Sequence, residues 1–127
     1  MRAIITLASV LLAGPPLADS VRHLSVPERF WGTWAPSAEL CRDNKSVITV
    51  SQKGYTTAQS SCAIQWVTET AGADRSIYSA HMRCTLLSGP QQEPEEVNRI
   101  IIAKADGEVS AGPDFHELRS LQRCPVN

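Results

Sequence analysis

Apolar and polar positions alternate along most of the chain, the period of a strand rather than a helix. In Ser46–Ser51, Ile48 and Val50 fall on one face, and Lys53-Gly54 then turns the chain into Tyr55-Thr56-Thr57, a hairpin signal. A longer pair follows, Cys62–Thr70 and Ser76–Leu87, joined by the Gly-containing stretch Ala71–Arg75. Placing Thr70 opposite Ser76 sets Trp66 against Ala80, Ile64 against Met82 and Cys62 against Cys84, all on one face. Ala63, Gln65, Glu69, Ser79, His81 and Arg83 then fall on the other face, together with the apolar Val67 and Ile77. Beyond a loop at Ser88–Glu96, Val97–Lys104 carries a β-branched run that reads as a strand. Glu108–Asp114 reads as an edge strand or a loop. Phe115–Cys124 reads as a last strand, although Phe115, Leu118 and Leu121 recur at helical spacing. Near the start, Phe30–Trp34 reads as the first strand, ended by Pro36, and Pro36–Lys45 as a loop.

About seven to eight strands with short turns predict an all-β fold, a small antiparallel barrel or a sandwich. Its expected core is Phe30, Trp34, Ile48, Val50, Ile64, Trp66, Tyr78, Met82, Leu86 and Ile101. Before the strands comes a different pattern. A positive start at Met1-Arg2 and an apolar run from Ala3 to Leu12 are broken by Gly14-Pro15-Pro16, as in a cleaved signal peptide of residues 1–18. The run is too short to span a bilayer. Cleavage after Ala18 is expected, with Gly14 as the alternative, and no cysteine precedes Cys41 to carry a lipid. Residues 19–27 read as an exposed lead-in and 28–127 as one domain. The expected location is the periplasm or the cell exterior, with no stable membrane anchor after cleavage.

Export changes the meaning of the four cysteines: an even number in an oxidising compartment reads as two disulfides. Their count allows three pairings. The hairpin register favours Cys62–Cys84, which leaves Cys41–Cys124. No metal-ligand spacing occurs among them. His81, Met82 and Cys84 do not form a soft-metal set, because alternation sends His81 to the opposite face, and Glu93, Glu95 and Glu96 read as a solvated loop. Neither a catalytic residue, a cofactor site nor a metal site is assigned. His23, His81 and His116 lie in no nucleophile context. A net charge of −1 with scattered Lys and Arg gives no basic face, so nucleic acid is not an expected partner.

Gly32-Thr33-Trp34 resembles the Gly-x-Trp opening of lipocalins and their smaller calycin-like relatives. The resemblance implies a barrel in which Trp34 plugs the narrow end and an Arg of the last strand, Arg119 or, preferably, Arg123, stacks over it. The order Pro27, Phe30, Gly32, Trp34, Cys41, Ile48-Thr49-Val50, Ser61-Cys62-x-Ile64, Cys84, Arg123-Cys124 is similar to a group of small secreted alphaproteobacterial proteins and implies periplasmic location rather than an activity. The chain also partially resembles bacterial inhibitors of serralysin-type metalloproteases, lipocalin-like barrels with one disulfide. That likeness implies inhibition through an N-terminal segment, here Ser20 to Pro27, but a Cys62–Cys84 bridge excludes an inhibitor-like Cys41–Cys62 bridge. The function expected is therefore a non-enzymatic exported binding or accessory barrel whose partner is a protein or a small ligand. Protease inhibitor and small-ligand carrier are the alternatives.

Overall fold

The computed structural model describes residues 20–71, 75–90, 93–104 and 107–125. The expected signal peptide lies outside them. Among the described residues nine strands form: β1 Ser20–His23, β2 Gly32–Ala35, β3 Ile48–Val50, β4 Gly54–Thr56, β5 Ser60–Ala71, β6 Ser76–Leu86, β7 Glu95–Ala103, β8 Val109–Gly112 and β9 Arg119–Arg123. Strands β2 to β9 close into an eight-stranded antiparallel barrel, since β9 pairs with β2 and each other strand pairs with its sequence neighbour. The sandwich alternative is thereby set aside. Strand β1 stands outside the ring and pairs with Val67–Thr70 of β5, along the edge whose first half is taken by β4. Both expected bridges are present, Cys41–Cys124 with Cα atoms 5.6 Å apart and Cys62–Cys84 with 4.0 Å.

The long hairpin keeps the expected register only up to Ile64↔Met82. Gln65 is then a bulge residue, and beyond it Trp66 pairs with His81 and Val67 with Ala80. One extra residue reverses the two faces of a strand. Val67 consequently enters the core at 2% exposure, and Trp66, expected inside, lies on the outer wall. Other expectations are corrected as well. Leu86 is 57% exposed because it sits at the open end of β6, where no facing wall covers it, and Ile48 is only partly buried. Phe30 belongs to a 3-10 turn, Glu28–Phe30, that precedes β2 rather than to a first strand. Glu95 and Glu96 are the start of β7, paired with Cys84 and Arg83, rather than loop. The last strand begins only at Arg119, leaving Phe115 exposed in the preceding turn.

The core contains Val26, Phe30, Trp34, Val50, Tyr55, Ile64, Val67, Tyr78, Met82, Ile101, Val109 and Leu121. Phe30 packs edge-on against Tyr78, with centroids 4.9 Å apart, and these two rings with Trp34 stopper one end of the barrel. The free interior space above them is only about 20 Å³, room for about one water and none for an organic ligand.

Candidate functional site

The stoppered end is organised around Gly32, Trp34 and Arg123. The Trp34 indole N–H donates to the Phe30 carbonyl at 3.0 Å, and the Arg123 guanidinium lies 4.5 Å over the Trp34 ring. Arg123 also donates from Nη1 to the Trp31 carbonyl and from Nη2 to the Arg29 carbonyl, both at 2.5 Å. Gly32 has φ +133°, a conformation that calls for glycine, and a Cβ there would stand 2.7 Å from Arg123 Nη1 and push the guanidinium aside. Arg119 lies elsewhere, at the opposite end of β9, where it lines the open end. These contacts fix the shape of a plug, and a cleft of about 330 Å³ lies beside it, lined by Arg29, Trp34, Lys104, Val109 and Arg123.

The lead-in, expected to be exposed, is so at Ser20–Arg22 and Leu24 but buries Val26 in the core, and it is tied down. Ser20 and Thr70 hydroxyls lie 3.3 Å apart, and His23 Nε2 meets Glu69 Oε1 at 2.9 Å. His23 and then Ser76 hold the Glu69 carboxyl below its ordinary value through hydrogen bonds, with a smaller contribution from Tyr78. On the outer wall Arg22 lies 4.5 Å over Trp66, whose other neighbour is the His81 ring, stacked at 4.1 Å. His81, expected to be a solvated side chain, instead also meets Asn98 Oδ1 through Nδ1 at 2.9 Å and Glu96 through Nε2.

The opposite, open end leaves more room. Three neighbouring clefts of about 330, 410 and 490 Å³ share one residue, Arg99. Arg99 is in β7 two positions before the buried Ile101, and the period of two points it toward the barrel axis. It lines two of these clefts together with Tyr55, a buried core residue on β4. Burial pushes the Tyr55 phenol up, and the Arg99 charge partly opposes that shift. The middle cleft adds Lys45 and Arg119 at its rim, Thr57 and Gln59 as polar groups, and Ile48, Ala111 and Leu121 as an apolar floor. Gly112 borders it; a Cβ there would come within 2.2 Å of the Glu117 carbonyl, so glycine lets the following turn fold against the cleft wall. Sequence reasoning missed this site. The available signal was a charged Arg99 on the same strand face as Val97 and Ile101.

No protein-family model, curated protein or solved structure matches the chain. Among the described residues no group of His, Cys, Asp and Glu is placed to hold a metal ion, and no helix is long and apolar enough to cross a membrane.

Proposed function

We propose that this is an exported, non-enzymatic binding barrel that holds a small ligand in the clefts at its open end rather than swallowing it. The observation that carries the reading is the pairing of a filled interior, about 20 Å³, with open clefts that converge on one inward-facing arginine. Binding sites combine apolar walls with a few converging polar groups, which is how Ile48, Ala111 and Leu121 stand to Arg99 and Tyr55. The two disulfides agree with an oxidising periplasmic or extracellular setting. The filled interior restricts the carrier alternative to cargo held at the rim. Inhibition of a protease through Ser20 to Pro27 would require β1 to leave β5, giving up the Ser20, Arg22 and His23 contacts.

Native mass spectrometry of the mature, oxidised protein isolated from the exporting cell tests the proposal. The expected result is a retained small molecule that is lost from Gln59→Trp, where an indole is added at an exposed cleft residue, with the melting temperature unchanged. A wild-type spectrum holding only the mass of the polypeptide, or equal retention by the variant, would overturn it.

A further inference from the structure

Resting on that reading, we infer that the ligand is a small organic anion, an acid group on a short apolar tail, with the acid seated between Arg99 and Tyr55 and the tail on the Ile48, Ala111 and Leu121 floor. The charge distribution of the middle cleft carries the inference. Its lining holds three cations, Lys45, Arg99 and Arg119, and no carboxylate. Glu93 and Glu95 line the cleft on one side and Glu117 the cleft on the other, yet none of the three forms an ion pair with these cations among the described residues.

Arg99 differs from the two rim cations in being half-buried on the inward face of β7. A guanidinium taken partly out of water ordinarily acquires an acidic partner, because an unpaired buried charge is costly. Here its neighbour on β4, lining the same two clefts, is a neutral phenol, Tyr55. The five guanidinium N–H groups of Arg99 and the phenolic O–H of Tyr55 line the same cleft, a donor set suited to two oxygens of one anion. The same geometry limits the rest of the ligand. The floor is apolar, which disfavours a second charge, and the interior beneath has no room, which disfavours a long chain entering the barrel.

Calorimetric titration of the mature, oxidised protein with octanoate, octanol and octylammonium separates this inference from the reading on which it rests. Octanoate is expected to bind at least tenfold more tightly than octanol, and octylammonium more weakly than either. Arg99→Met should remove that preference while leaving octanol unchanged, since a charged hydrogen-bond pair accounts for roughly tenfold or more in affinity. Arg119→Gln, at an exposed position, should reduce it less and serves if Arg99→Met fails to fold. Octanol bound as well as octanoate, or a preference unchanged in both variants, overturns the anion while sparing the open-end site. Failure of all three probes counts against both.

Discussion

Two tryptophans in this barrel each lie under an arginine at 4.5 Å, Trp34 beneath Arg123 and Trp66 beneath Arg22, and they are not equivalent. Trp34 is 3% exposed, its indole N–H is bonded to Phe30, and its arginine is anchored to two backbone carbonyls. Trp66 lies half-buried on the outer wall, stacked on His81, with an arginine from a strand that pairs with β5 alone. A cation over an aromatic ring contributes about 0.5–1 kcal/mol when exposed and about 2 kcal/mol or more when desolvated. Equal distances therefore do not give equal energies. Burial and backbone hydrogen bonds make the first stack part of the plug, whereas the second is a surface clamp.

Trp34→Ala should break the plug outright. Removal of a buried Trp costs about 3–5 kcal/mol, a large part of the roughly 5–15 kcal/mol that holds a domain folded, and a lower urea midpoint would report it. Gly32→Ala is the finer probe. Positive φ costs a non-glycine residue roughly 1–3 kcal/mol, and the added methyl also displaces Arg123. In a double-mutant cycle with Arg123→Met the two losses should be less than additive, because the shorter, uncharged side chain relieves the collision. Full additivity would mean that glycine is needed for its backbone alone.

The two tryptophans also mark how far the fold was legible in the chain. The plug was legible because Gly32, Trp34 and Arg123 combine in a local motif with a residue of the last strand. The Cys62–Cys84 bridge was legible because strand alternation is strict up to Ile64. Past Gln65 it was not, since a bulge adds one residue without a compositional mark, and face assignment inverts at every position beyond it. A clue is present: strict alternation strands Val67 among polar neighbours while it places Trp66 in the core. The open-end site was hidden for another reason. Tyr55, Arg99 and Arg119 come from three strands distant in sequence, so only barrel closure brings them around one cleft.

The surface clamp depends on β1 remaining in place, and the His23–Glu69 contact makes that pH-dependent. The Glu69 carboxyl is held below its ordinary value of 4.5, so the folded state binds its proton less readily than the unfolded chain does. Its contribution is thus complete above the ordinary value and disappears as pH falls through the lowered one. Glu69→Gln should flatten the acid limb of the melting temperature below that ordinary value. Amide exchange at Ser20–His23 should accelerate in the wild type over the same interval. An acid limb identical in the variant would place the anchorage of β1 elsewhere, in Arg22 or the strand hydrogen bonds.

The smallest effect separates the stacks most directly. Trp66→Ala should cost about 1 kcal/mol or less, as expected for an outer-wall side chain whose contacts are a partly solvated cation and an imidazole. Val67→Ala removes far fewer atoms yet should cost roughly 2 kcal/mol, because Val67 is 2% exposed and its loss leaves a cavity. The bulge at Gln65 is the reason for this reversal of size and cost: it turns valine inward and tryptophan outward. Paired denaturation curves for the two variants therefore test the bulge as well as the clamp. If Trp66→Ala proves the more damaging, the indole is packed as part of the core, and the distinction between the two stacked tryptophans fails.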